Sequence, residues 1–186
     1  SSRFSHLTSD GFRYNSYTKG YTYFGQAGYF AKNNIIKVYG FSGQSSNGMA
    51  WLAPLKSDID KDYRTNLNTS EEKDKFNQNF ISLNWINFKL NNIKFNSSIY
   101  FNNINGNYTS YIGNPNPLGS FYLNSYQSGL VYNMIYNKNN LNINTDINYN
   151  YYQRKHRLYE ILNTKENFLY QNIGYKQDFT AYAKFI

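Results

Sequence analysis

The feature that most limits the fold is an unbroken alternation of apolar and polar residues over residues 141–152. Leu141, Ile143 and Ile147 fall on one parity, and the other parity is polar: Asn142, Asn144, Asp146 and Asn148. A period of two predicts a β-strand with one apolar and one hydrated face. Soluble strands are usually about five or six residues long, whereas a tilted membrane-spanning strand needs roughly 9–11. The run therefore predicts a transmembrane strand between lipid and a polar lumen.

Composition supports a membrane barrel over a soluble core. Aromatic residues make up 20% of the chain, with 21 Tyr and 14 Phe, while the mean hydropathy is only −0.72. There is no Cys, which excludes disulfides and thiolate chemistry. An apolar run of about 18 residues is absent, which excludes a transmembrane helix, but the alternation of a barrel strand escapes that test.

The net charge of +8 raises the question of a nucleic-acid partner. The basic residues are mostly scattered singly, and their only compact run is residues 154–157. A short cluster of this kind is typical of a solvated segment. We therefore expect no nucleic-acid partner.

Strand-like segments alternate with short and long polar connections. Short turns are expected near residues 33, 91, 139 and 177, and long loops over residues 8–19, 44–78, 102–120 and 153–166. Outer-membrane barrels have this asymmetry, with short periplasmic turns and longer extracellular loops. The sequence predicts an all-β fold: one antiparallel transmembrane β-barrel segment of about eight to nine up-and-down strands, forming a single partial domain over residues 1–186.

Several short motifs follow one another in a familiar order. They occupy residues 3–12, 28–32, 36–43, 50–51, 76–80 and 106–111, and His156 follows the tyrosine-rich strand. This succession resembles the barrel of TonB-dependent outer-membrane receptors, particularly those of Bacteroidota. The resemblance covers nearly the whole chain. It implies a Gram-negative outer membrane, contact with its lipid, and uptake of a bulky nutrient such as a metal chelate (siderophore) or an oligosaccharide.

The chain also departs from that family. We recognise no plug domain, no TonB box and no signal peptide, and the expected strands fall well short of the roughly 22 of a receptor barrel. The sequence is therefore expected to be a piece of a barrel. Its implied partners are the rest of the barrel, a plug domain and, through a segment not present here, the TonB system.

Candidate functional residues fall into three groups. Exposed aromatics and an Arg in the expected loops suit ligand capture: Trp51, Tyr108, Tyr111 and Arg154. The lumen-facing group contains Asn142, Asn144, Asp146 and Asn148, with Gln26 and Asn84 on other strands. The lipid-facing group contains Leu141, Ile143, Ile147, Ile81, Leu83, Trp85, Phe95 and Ile99.

No arrangement of residues indicates catalysis. The two His residues, His6 and His156, are far apart in sequence, and no phosphate loop or nucleophile elbow is present. We expect no enzyme activity, no cofactor and no metal. Two alternatives to the receptor remain open: a small self-contained porin-like barrel, and a soluble all-β adhesive or sugar-binding module.

Overall fold

A computed structural model describes residues 1–112 and 117–185, including every side chain in those ranges except that of Lys89. It contains one short helix, α1 (Lys56–Lys61), and eight strands. The strands are β1 (Ser2–Ser9), β2 (Thr18–Ala31), β3 (Asn34–Gly48), β4 (Lys73–Leu90), β5 (Ile93–Tyr111), β6 (Leu118–Lys138), β7 (Leu141–Leu162) and β8 (Lys165–Phe185). No helix among the described residues has the length and apolarity needed to cross a membrane.

The strands form a single antiparallel sheet in which spatial order equals sequence order, from β1 to β8. Every strand pairs with the strand that follows it, and β1 does not meet β8, so the sheet is open. The predicted all-β, up-and-down class is confirmed, with eight strands. Because each connection joins two neighbouring antiparallel strands, successive connections alternate between the two ends of the sheet.

Two-residue connections at 32–33, 91–92 and 139–140 mark the turn end of the sheet, as predicted. At the opposite end, the loop end, lie the connections 10–17, 49–72 and 163–164, and there β5 ends and β6 begins. The predicted loops 44–78 and 102–120 are too long, because residues 44–48, 73–78, 102–111 and 118–120 belong to strands. Residues 113–116 are outside the described residues.

The strands are longer than the sequence indicated. The predicted loop over 153–166 is wrong, because β7 continues to Leu162 and only residues 163–164 make the turn. The predicted turn near residue 177 is also wrong, because β8 runs from Lys165 to Phe185 without interruption. In both places polar side chains occupy both faces of the strand. Because both faces are polar there, apolar and polar residues no longer alternate in the sequence, although the backbone pairing of the strands continues.

The registers sort the side chains onto two faces. On what we call the apolar face, Ile36, Trp85, Tyr132 and Ile147 form one row across the sheet. On the polar face, the neighbouring row contains Lys37, Asn84, Ser98, Val131 and Asn148. Among the described residues only one apolar residue, Leu158, is buried. The molecule therefore keeps its large apolar side chains on a surface instead of in a core.

Candidate ligand-binding surface at the loop end

The two longest described loops are tied to each other. The Asn66 side-chain amide donates to the carbonyl oxygens of Tyr14 at 2.6 Å and Met49 at 2.8 Å. The Arg64 Nε donates to the Phe12 carbonyl oxygen at 2.9 Å. Asn15 adopts a positive φ of 57°, a conformation that Asn tolerates, and its amide donates to the Thr69 carbonyl oxygen. These contacts join residues 10–17 and 49–72 into one unit above the strands.

A buried amide positions Trp51. Asn68 is only 4% exposed, and its Oδ1 accepts the backbone N–H groups of Trp51 at 3.1 Å and Leu52 at 3.2 Å. The Trp51 side chain itself is 60% exposed. A buried anchor that holds an exposed aromatic ring presents that ring to a ligand without a large cost in conformational entropy.

The same loop is fixed to the end of β5. The Ser110 hydroxyl donates to Oε1 of buried Glu72 at 2.9 Å, and the Thr109 hydroxyl donates to the Glu71 carbonyl oxygen at 2.6 Å. The Tyr111 hydroxyl donates to Oε2 of Glu71 at 2.5 Å, and this hydrogen bond is the main cause that raises the pKa of Tyr111. Tyr111 thus holds the loop in place.

An aromatic cluster lies beside the loop. The rings of Tyr108 and Phe121 stack with centroids 4.5 Å apart and planes only 5° apart, and Trp51 meets Tyr108 edge-on at 6.3 Å. Burial, with a smaller contribution from Tyr170, raises the pKa of Tyr108. The phenol therefore stays neutral at physiological pH and can donate a hydrogen bond. These residues lie beyond the apolar band of the sheet.

A cup of about 380 Å³ opens between this cluster and the ends of β7 and β8. Arg154 and His156 alternate on β7 and therefore point to the same, polar face of the sheet. The other polar-face side chains that line the cup are Asp74, Phe76, Tyr108, Phe121, Leu123 and Tyr170. Gly106 also lines the cup, where a Cβ would overlap the Lys75 carbonyl oxygen on the neighbouring strand.

Three of the four predicted ligand residues therefore come together: Trp51, Tyr108 and Arg154. Tyr111 does not join them, because its parity on β5 is opposite to that of Tyr108. The placement of Tyr108, Tyr111 and Arg154 in loops is wrong, since all three lie on strands. Phe121 and Tyr170 were not among the residues predicted to bind a ligand. Had the predicted strands reached their observed ends, the alternation of faces would have placed both side chains on the polar face beside Tyr108.

The structure also brings together the other two groups of predicted residues. Leu141, Ile143, Ile147, Ile81, Leu83, Trp85, Phe95 and Ile99 all lie on the apolar face. Asn142, Asn144, Asp146, Asn148, Gln26 and Asn84 all lie on the polar face.

Hydrogen bonds link side chains across the polar face. The Asn133 amide donates to Asn144 and to Asp146, at 2.8 Å each. The Asn84 amide donates to Asn96 and Ser98, also at 2.8 Å each. The contacts of these groups with lipid, lumen or plug stay predictions.

Two solved structures are similar to the chain. The ferric citrate transporter FecA, in its unliganded form, superposes with a TM-score of 0.78 at 12% identity, over 100% of this chain and 30% of that one. BauA, the ferric preacinetobactin receptor from Acinetobacter baumannii, superposes with a TM-score of 0.71 at 8% identity, over 97% of this chain and 33% of that one.

The chain has the fold of a TonB-dependent receptor barrel segment. It spans about a third of the length of either solved structure. These neighbours support receptor barrels in general and do not support the Bacteroidota type in particular. No protein-family sequence model matches the chain, and no curated protein has a matching sequence.

The described residues contain no group of three or more His, Asp or Glu side chains that could hold a metal ion. The two structural neighbours are a transporter and a receptor, not enzymes.

Proposed function

We propose that the chain forms part of the wall of a TonB-dependent outer-membrane receptor that takes up a bulky nutrient, with a ferric chelate as the first candidate and an oligosaccharide as the second. The observation that carries the proposal is the separation of an apolar from a polar face across the sheet of a receptor-barrel segment. In hydrocarbon every strand edge must be paired. Further strands therefore complete the barrel beside β1 and β8.

In this proposal the apolar face meets outer-membrane lipid and the polar face meets the lumen, where a plug domain sits. Chains of amide hydrogen bonds such as Asn133–Asn144 would stiffen the inner wall. Coupling to TonB is assigned to a segment outside this chain. The Bacteroidota type stays a prediction that rests on the sequence motifs alone.

The loop-end cup is the proposed capture site. Stacked Tyr108 and Phe121 offer flat surfaces for ligand rings, and Trp51 meets Tyr108 edge-on. Arg154 is exposed and presents a planar guanidinium that matches carboxylate groups bidentately. Ferric chelates often carry such anionic groups, whereas oligosaccharides stack on aromatic rings without needing the cation. The Arg therefore favours the chelate.

The test measures uptake by cells that produce the protein, with radioactive ferric citrate, a ferric catecholate and a fluorescent malto-oligosaccharide as probes. Truncation of a central aromatic at a binding site costs about 2 kcal/mol or more, so Tyr108→Ala should weaken uptake of the recognised probe roughly 30-fold. Arg154→Gln should weaken uptake of an anionic chelate and leave that of a neutral sugar unchanged.

Matched controls come from side chains outside the cup. Tyr175→Ala removes an exposed tyrosine of the apolar face, and Lys176→Gln removes a cation that pairs with Asp178 at 2.9 Å. Neither should change uptake. The proposal of a capture site fails if Tyr108→Ala and Tyr175→Ala behave alike with every transported probe.

The structure gives less support to the two alternatives, a soluble all-β module and a self-contained porin-like barrel. A soluble module would cover Ile81, Leu83 and Trp85 with a second sheet, but the described residues form one sheet and leave these side chains 54%, 39% and 42% exposed. A self-contained eight-stranded barrel would pair β1 with β8, and in the described sheet these strands stay apart.

A further inference from the structure

One histidine lines the loop-end cup but has no part in the capture proposed above. His156 is exposed and lies on the polar face of β7, two residues from Arg154. Within residues 1–112 and 117–185, neither of these two side chains has a hydrogen-bond or ion-pair partner. Two unpaired basic groups therefore open into one cavity of about 380 Å³.

The strands on either side place no charge against His156. β7 pairs with β6 and β8, and Leu123 and Asn172 lie directly opposite His156 on those strands. The polar-face residues diagonal to it are Phe121 and Ser125 on β6, and Tyr170 and Gly174 on β8. Only one of these six neighbours, Tyr170, is titratable.

The polar-face side chains that line the cup carry little net charge. The charged ones are Asp74 and Arg154, which cancel, and the other titratable ones are the phenols Tyr108 and Tyr170. Burial raises the pKa of Tyr108, so that phenol stays neutral. The proton of His156 thus decides whether this lining is neutral or carries one positive charge.

Other charged groups lie farther from His156 or on the opposite face. Three nearby cations belong to the opposite face: Lys75, Lys155 and Arg157. Glu160 and Lys176 share the face of His156, but each lies four residues away along the paired strands, and neither lines the cup. A ligand in the cup therefore meets this imidazole and one permanent cation on the same strand.

We propose that His156 is a second ligand-binding residue of the cup, which bonds an acidic group of an anionic ligand beside Arg154 and makes capture stronger in mildly acidic medium. This inference rests on the proposed function, because it takes the cup as the capture site. Imidazole side chains gain a proton as the pH falls from about 8 to about 5. Once protonated, the ring donates from both nitrogens, and its charge attracts the anion.

The spacing of the two basic groups suits a ligand with two acidic groups. Alternate residues on one face of a strand are about 6.8 Å apart. A guanidinium and an imidazolium at that spacing can each bond one carboxylate of the same ligand, and hydrogen bonds between charged groups are the strong ones.

Linkage gives the direction of the pH dependence. A ligand that favours the protonated ring is itself bound more tightly when the ring is protonated. A hydrogen bond from a charged donor contributes about ten times more to a binding constant than one from a neutral donor. The affinity for the anion should therefore be highest at about pH 5 and fall as the pH rises toward about 8.

The experiment measures binding of the three uptake probes, ferric citrate, a ferric catecholate and a malto-oligosaccharide, to the purified full-chain protein in detergent. Dissociation constants of His156→Gln and the unmodified protein are compared at about pH 5.5 and about pH 8. Their ratio at each pH cancels any change in the probe itself. For an anionic probe we expect a ratio of about ten in acid and close to one in alkali.

Two further variants separate the charge of His156 from its shape. His156→Lys carries a permanent charge and should bind the anionic probe tightly at both pH values. His6→Gln is the matched control, because it removes the other His of the chain, which is exposed on the apolar face of β1. It should leave the pH dependence of binding unchanged.

Each remaining outcome counts against the inference. The same pH dependence in the unmodified protein and in His156→Gln, or weak binding by His156→Lys at both pH values, would overturn the role of His156 and leave the capture site standing. Binding of the malto-oligosaccharide alone would overturn it as well, because that ligand carries no charge. If none of the three probes binds the unmodified protein, the capture site and this inference fail together.

Discussion

At the scale of single residues, one glycine makes room for a hydrogen bond between side chains that are two strands apart. The Tyr100 side chain on β5 passes over Gly129 on β6, and its hydroxyl donates to the Asn150 side chain on β7. A Cβ at Gly129 would lie 2.5 Å from the Tyr100 ring. The absence of a side chain at residue 129 therefore permits this link across the polar face.

Gly129→Val should displace the Tyr100 ring and break its hydrogen bond to Asn150. Overpacking of this kind costs about 1–3 kcal/mol, so the free energy of unfolding in urea, measured in micelles, should fall by that amount. Gly174 supplies the control, because it belongs to the same face and a Cβ there meets nothing within 4 Å. Gly174→Val should be close to neutral, and a similar loss at both positions would contradict the explanation.

At the scale of strands and turns, the sequence predicts where strands exist better than where they end. The period-two signal is clear over residues 141–152, where apolar and polar side chains alternate. It disappears over residues 153–157, although β7 continues, because Gln153, Lys155 and Arg157 are polar on the face that was apolar before. In the proposed barrel, the loop-end strand segments would lie outside the membrane and would no longer need an apolar face. The cup was missed for the same reason, because His156 and Tyr170 lie in segments where alternation has ended.

The β7–β8 turn contains a strained residue. Asn163 and Thr164 both have positive φ, 48° and 69°, as a type I′ hairpin turn requires. Asn tolerates this conformation, but a β-branched Thr does so at a cost of about 1–3 kcal/mol. Thr164→Gly should therefore raise the free energy of unfolding, by about 1 kcal/mol once the greater flexibility of unfolded Gly is included.

Thr180→Gly is the matched control for this turn. Thr180 lies within β8, where glycine weakens a strand by about 0.5–1 kcal/mol. Urea titrations of the two variants should therefore move the midpoint in opposite directions. The Thr164 hydroxyl donates to the Asn163 carbonyl oxygen at 2.5 Å. A loss of stability in Thr164→Gly would show that this hydrogen bond outweighs the backbone strain.

At the scale of the whole molecule, stability depends on the surroundings of a two-faced sheet. Most of its large apolar side chains are exposed in the described structure, including eight on β8 between Phe168 and Phe185, and nearly all the others are only half-buried. A sheet of this kind does not bury enough apolar surface by itself to offset the entropy of ordering the chain. Lipid on one side and further strands along the edges would supply the missing burial.

Neighbouring residues on β6 test which face meets lipid. Leu130 lies on the apolar face and Val131 on the polar face, and they are 41% and 38% exposed. An Arg that faces the middle of a bilayer costs about 2–4 kcal/mol. Leu130→Arg should therefore sharply reduce folding into phosphatidylcholine vesicles, as measured by resistance to heat on a gel.

Val131→Arg should fold nearly as well as the unmodified protein, because its side chain would enter water. If Val131→Arg folded less well than Leu130→Arg, lipid would meet the face of Val131 instead. Both proposals would then lose their basis.

The strictly sequential pairing of the strands also has an evolutionary consequence. Because each strand of the described sheet pairs only with its neighbours in the chain, a duplicated or deleted hairpin alters a single seam and leaves every other register intact. Genes for sheets of this kind can grow or shrink by whole hairpins. In the proposed receptor barrel, pore diameter would then change in discrete increments while the capture site proposed at the loop end is inherited unchanged.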